Sequence, residues 1–371
     1  MNILLRSISG IALLSALPLS SALAADPIGK LYTMSNATTG NEILVYSRRA
    51  DGSLSQTDHV GTYGLGTGTG LGNQSALTLS GDGALLFAVN AGNNSISSFR
   101  ITATGLEFVK TVSSGGVSPV SLTEDRGRLF VLNAGDATHG GNISGFWTEN
   151  TGDLEAIHNS RRPLSNAAAG TGAAQISFSD NGKQLIVTEK ATNLILTYRL
   201  NDYNRPSWPK SNTSSGATPF GFAVGKRNQF FVSNAAGGAA NGSSLSSYKL
   251  LASGQLNTIS PTVGAGETAA CWVTLTPDGR YAFTTNTGSG TISSFRIGFN
   301  GAVAVENNDS GITGAGTAPI DMDISPDSRI LYTLNSGNET ISSFSVGLNG
   351  DLTLVKTLTG LPDGANGLVV Q

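Results

Sequence analysis

WVTLTPDGRYAFTTNTGSGTISSFRI, residues Trp272–Ile297, reads as a β-run, a D-G turn, a second run ending in Asn286, a turn of small residues, and a third run. The same phrase returns as ALTLSGDGALLFAVNAGNNSISSFRI (Ala76–Ile101) and IDMDISPDSRILYTLNSGNETISSFSV (Ile320–Val346), each followed by a weaker run. TISSF itself stands at Thr291–Phe295 and Thr340–Phe344, with near-copies NSISSF (Asn94–Phe99) and SLSSY (Ser244–Tyr248). Each unit is therefore a four-stranded meander. Taking the last residue of the second run as a marker gives Asn90, Asn133, Glu189, Asn234, Asn286 and Asn335, at spacings of 43, 56, 45, 52 and 49. A period near 50 with four strands per unit predicts a β-propeller.

The chain begins and ends with the parts of one further unit. LYTMSN (Leu31–Asn36), NEILVYS (Asn41–Ser47) and SLSQTDHVG (Ser53–Gly61) supply its outer three strands, and NGLVVQ (Asn366–Gln371) matches an innermost strand with no second strand after it. One C-terminal and three N-terminal strands then close the ring. This predicts an all-β fold of seven blades, with the other six at about 75–116, 117–168, 173–215, 218–266, 268–314 and 318–362. Blade sheets packed between neighbours bury both faces, so TISSF reads as scaffold, Ile and Ser sharing one face and Ser and Phe the other.

Residues 1–24 read as a secretory signal peptide: Arg6, the apolar stretch Ile11–Leu19, and Ala22-Leu23-Ala24 before the expected cut. Residues 25–371 are then expected to form one exported propeller domain, periplasmic or extracellular, without membrane insertion and monomeric. Charged residues make up only 13%, which suits many short strands and tight turns. The net charge of −3 offers no basic stripe for nucleic acid. A single cysteine, Cys271, excludes an intrachain disulfide. No metal-ligand spacing or cofactor fingerprint is present, so no metal and no cofactor are expected. GLGTGTGLG (Gly64–Gly72) lacks a phosphate-loop pattern and reads as a flexible linker into the next blade.

Loops that enter the innermost strand and loops that follow the second strand share one face, around the mouth of the central channel, where a ligand is expected. The marker asparagines read as turn residues tolerant of left-handed backbone. Glu189 breaks their pattern in QLIVTEKATNLILTY (Gln184–Tyr198), since Asn36 is expected to fill the slot in the shared blade. A carboxylate there could act as a general base. The blades flanking it carry the long loops AGDATHGGN (Ala134–Asn142) and AAGGAANGSS (Ala235–Ser244), and the first holds His139. Glu189 and His139 are the candidate catalytic residues. Lys190, at the following turn, and Cys271 and Trp272, at the start of an innermost strand, are candidate substrate contacts.

The repeat, the seven blades and phrases such as TPDGRYAFTTNTGSGTISSF and QISFSDNGKQLIVTEKATN resemble the lactonase-like propeller family, which includes bacterial 6-phosphogluconolactonases and fungal 3-carboxymuconate cyclising enzymes. The resemblance covers nearly all of residues 30–371 and is closest to exported bacterial members. It implies a histidine before an innermost strand, an arginine at the corresponding place in the next blade, and a glutamate ending that blade's second strand. Here GAAQISF (Gly172–Phe178) and TPFGFAV (Thr218–Val224) place Ala174 and Phe220 where His and Arg are implied, and Asn234 takes the glutamate's slot. Phe220 and Asn234 thus join the candidate substrate contacts. Without the arginine, a phosphorylated substrate lacks its cationic clamp. Two functions remain open: a hydrolase opening a lactone or related cyclic ester, and a non-catalytic propeller binding a small ligand, glycan or protein.

Overall fold

The computed structural model describes residues 26–166 and 170–371; the expected signal peptide, residues 1–24, lies outside them. Among the described residues are seven antiparallel sheets, each running outward from an innermost strand. The C-terminal strand Asn366–Val370 pairs with Gly29–Met34, which pairs in turn with Glu42–Arg48 and then Leu54–Gly61, so that the two ends of the chain close the first blade together. The third blade differs at its rim, where both Leu154–Ala156 and Arg162–Pro163 pair with Asn142–Thr148.

The third strands are buried on both faces, as TISSF predicts: Ser95–Phe99 and Thr340–Phe344 are buried throughout. Their serines do more than fit a narrow space. Asn286 Nδ2 donates to Thr291 Oγ1 (3.1 Å) and Ser293 Oγ (2.8 Å), and Asn335 Nδ2 to Thr340 Oγ1 and Ser342 Oγ (both 2.9 Å). Asn90 and Asn234 make the same pair of bonds to Ser95 and Ser97 and to Ser244 and Ser246. Ser97 passes the chain of bonds outward by donating to the Thr62 carbonyl at 2.7 Å. The marker asparagines are therefore not left-handed turn residues. They end extended strands, fully buried, and spend their amide protons on the hydroxyls opposite.

Left-handed backbone instead falls one residue before the innermost strands, at Ser118, Thr218, Ala269 and Ala318, and two before at Ser75, with φ between 48° and 65°. The carbonyls of Ser118, Thr218 and Ala318 accept the N–H of the residue after the marker Asn, fixing the corner at which chain enters each strand. Facing inner strands are joined by side chains. Ser121 Oγ and Thr123 Oγ1 accept from the backbone of Ile176 and Phe178 in the next blade (3.1 Å each), and Asp321 and Asp323 accept from Leu368 (3.1 Å) and Val370 (2.8 Å) in the closing strand. These bonds satisfy backbone donors that a sheet edge at the channel would leave bare.

Candidate functional site

The glycine-rich stretch before the second blade is pinned, contrary to its reading as a flexible linker. Asn36, itself left-handed with φ 51°, donates from Nδ2 to the Thr69 carbonyl (2.7 Å), and its carbonyl accepts from Gly68 N–H (2.8 Å). Close approach explains the glycines here: a Cβ on Gly66 would stand 2.0 Å from the Asn36 carbonyl. Beyond this strap, Gln74 spans the channel. Its N–H donates to Ala174 in the fourth blade (3.1 Å), while its side-chain amide donates to the Val273 carbonyl (2.7 Å) and accepts from the Val273 N–H (3.1 Å) in the sixth. Gln74 thus ties the fourth and sixth blades together across the channel.

A cleft of about 450 Å³ opens above, between the strap (Gly68–Gly72), Trp272, Ile320, Ser336 and the segment Asp363–Asn366. Trp272 and Asn366 are buried, at 3% and 2% exposure, yet Trp272 Nε1 and Asn366 Oδ1 have no hydrogen-bond partner. One buried donor and one buried acceptor in the lining of one cleft are suited to a ligand with a carbonyl and a hydroxyl, because unpaired polar atoms cost stability until a ligand pairs them. Asp363 is the carboxylate of that lining, which contains no Lys or Arg.

Four of the residues singled out in the sequence come together beside this cleft. The Phe220 and Trp272 rings lie 4.9 Å apart, Lys190 Nζ sits 4.6 Å from the Phe220 ring centre, and Lys190 donates to the carbonyl of Gly72 in the cleft wall. Burial lowers the Lys190 pKa, and the Cys271 nearby partly offsets it. Burial likewise pushes the Cys271 thiol up to about 11, so it rests as a neutral thiol. Ala174 and Phe220, in the places where His and Arg are implied, are apolar and buried.

Glu189, His139 and Asn234 have other surroundings. Glu189 is fully buried: Oε1 accepts from Ser165 N–H (3.0 Å), and Oε2 from the hydroxyls of Ser165 (2.5 Å) and Thr192 (2.6 Å). His139 is exposed, with Nδ1 2.9 Å from Asp136 of its own loop; hydrogen bonds from the Thr138 N–H and hydroxyl, and then from His139, hold the Asp136 pKa well below the usual carboxylate range. Asn234 is buried against Ser244 and Ser246. Register also moves the slot in the shared blade: Ser35, bonded to Glu42, stands opposite the third strand, and Asn36 lies one residue beyond. Gln74, Asp363 and Asn366 were missed by sequence reasoning. A polar trio, Asn73-Gln74-Ser75, at the entry to an apolar strand was the available signal for the first.

The family described as "Lactonase, 7-bladed beta-propeller" matches residues 30–159 and 241–368. Among solved structures, the periplasmic gluconolactonase of Pseudomonas aeruginosa is similar at 18% identity, over 92% of this chain and 99% of that one, with a TM-score of 0.67. A 6-phosphogluconolactonase candidate from Bacteroides fragilis aligns at 19% identity, over 92% and 98% of the two chains, with a TM-score of 0.68. A second such candidate, from Bacteroides uniformis, aligns at 16% identity over 92% and 99%, with a TM-score of 0.72. No curated protein matches the sequence.

Proposed function

We propose, for a chain that belongs to the lactonase family of seven-bladed β-propellers, that it is an exported hydrolase opening an uncharged lactone in the cleft at the channel mouth. The observation that carries this reading is the pairing of an unpartnered buried donor, Trp272 Nε1, with an unpartnered acceptor, Asn366 Oδ1, in a cleft that also holds a carboxylate. Asp363 would take a proton from water as the water oxygen bonds to the lactone carbonyl carbon. Trp272 Nε1–H would stabilise the resulting oxyanion. The ring C–O bond then breaks, the proton passes to the ring oxygen, and the product hydroxy acid ionises. A lining without Lys or Arg favours a neutral sugar lactone over a phosphorylated one. Export rests on the signal-peptide pattern of residues 1–24.

Glu189 suits a structural role, holding Ser165 and Thr192, better than water activation, since three donors already occupy its oxygens. A second reading, ligand binding without turnover, is favoured by Gln74, whose side chain is already engaged across the channel with Val273. Proton release from a panel of aldonolactones separates the two. Hydrolysis requires turnover above buffer, lost by about a hundredfold in Asp363→Asn and retained in folded Glu189→Gln. No turnover of any lactone, with saturable binding, would establish the second reading.

A further inference from the structure

We propose that the outer rim of the fourth blade, between Arg162 of the third and Ala252–Gly254 of the fifth, carries a groove for an acidic carbohydrate chain, a polyuronate. Two clefts of about 560 Å³ and 370 Å³ meet there, sharing Arg199 and Ser207 in their linings. The turn at Asn181 and the connection around Asn201–Ser207 place most of this groove at the end of the fourth blade away from the mouth loop that follows Glu189.

Five cations line it, Arg162, Lys183, Arg199, Arg205 and Lys210, and no carboxylate does. None of the five is in an ion pair among the described residues. Such a concentration stands out in a chain of net charge −3. Two of the guanidiniums are held by neutral carbonyls, Arg162 by Arg161 (2.7 Å) and Asn159 (3.1 Å), and Arg205 by His158 (3.0 Å). Their positions are fixed while their charge stays uncompensated, an arrangement suited to an anion.

Two further observations point to a ligand. Gln184, 5% exposed in the wall of the groove, has an Oε1 without a partner, and Arg162 Nε is likewise buried and unpaired. Trp208 and Tyr203 are 72% and 71% exposed, and each is overlain by a groove arginine, Arg162 5.9 Å from the Trp208 ring centre and Arg205 5.4 Å from that of Tyr203. Exposed Trp and Tyr rings, with an apolar face and a polar edge, are the side chains that interaction surfaces favour. Aromatic platforms accept the C–H faces of pyranose rings, side-chain amides such as Gln184 pair with their hydroxyls, and guanidiniums clamp carboxylates bidentately. The joined clefts favour a chain over a single sugar. Nucleic acid shares the stacking and the charge, but the acidic balance of the whole molecule opposes it.

The test is titration of the purified protein with a galacturonate oligomer, followed by calorimetry and by Trp fluorescence. Saturable binding that weakens with salt is expected, with no binding of neutral dextran and weaker binding of duplex DNA. The double variant Lys183→Ala/Arg199→Ala should weaken binding by about tenfold or more, and Trp208→Ala by a similar factor in calorimetry. All three side chains are exposed or rim residues, so unchanged melting should verify folding. Lactone turnover, read separately, should be unaffected. Equal affinity for DNA, unchanged binding in the double variant, or no effect of Trp208→Ala would each overturn the proposal.

Discussion

The seventh blade and the fourth solve one problem with opposite polarity. At the end of the second strand, the seventh blade places Asn335, whose amide donates to Thr340 and Ser342 on the strand opposite. The fourth places Glu189, an acceptor only, opposite Leu194, and the third strand reads Leu194-Ile195-Leu196 in place of Thr-Ile-Ser. Its donors come from outside that strand, from Ser165 and Thr192. Slot and strand thus change together, and the shared blade follows suit, with Ser35 at the slot and Leu44 in its third strand. A departure from the repeat therefore signals first a different closure of hydrogen bonds, and chemistry only if atoms remain unpaired. The fourth blade also lies within residues 160–240, which the family match leaves out, and all five cations of the groove fall in the same interval.

The sharpest way to break the comparison is to give the fourth blade the residue of the repeat. In Glu189→Asn, the amide protons would face leucines, and the Ser165 N–H would lose its acceptor. The variant should lose about 3 kcal/mol, as much as Glu189→Ala, because a buried unpaired donor costs its full desolvation. Urea unfolding at neutral pH measures this. If Asn proved as good as Glu, the slot and the third strand would be independent and the comparison would fail.

Asn335→Ala should cost less, about 2 kcal/mol. Two hydrogen bonds go; the Thr340 hydroxyl keeps a partner in Asn338 Oδ1 at 2.8 Å, and the group left bare is the Ser342 hydroxyl, which can rotate, rather than a fixed backbone N–H. The same unfolding experiment ranks the two variants, and an inverted ranking would show that the amide relay carries more stability than the buried carboxylate.

These differences mark what the sequence could and could not disclose. Seven blades, their boundaries and the closure by Asn366–Val370 were legible because each blade repeats the same local turns and runs. The asparagine relay was half visible: Asn90 and Ser97, Asn286 and Ser293, and Asn335 and Ser342 are each seven apart. Taking Asn for a turn former hid the pairing. That Trp272, Phe220, Lys190 and Cys271 lie close together was legible because the propeller sends strand entries and loops to one face. Gln74 was not, since its partner Val273 is 199 residues away and across the channel. The saturation of Glu189 was hidden for a similar reason, its main partner Ser165 belonging to the segment between blades.

The innermost strands extend the comparison, because the third blade holds its neighbour with hydroxyls, Ser121 and Thr123, where the seventh uses carboxylates, Asp321 and Asp323. Burial drives the Asp321 pKa well up, with repulsion from Asp323 adding to it, and burial raises Asp323 to about 6 although backbone donors and Arg48 oppose the shift. A folded pKa above the unfolded value of about 3.9 means that the native state binds more protons between the two. The contribution of Asp323 to stability is therefore full below about pH 4 and is lost as pH rises through about 6. Asp323→Asn keeps an acceptor for Val370 without the charge, at the expense of the bond from Ile324 N–H. It should gain about 1 kcal/mol near pH 7.5 and nothing near pH 3.5, flattening the stability profile between them. Melting curves across that range decide it: a variant with the parent's full pH dependence would mean that the ring is latched by the backbone pairing of the closing strand, with the carboxylate indifferent to its charge.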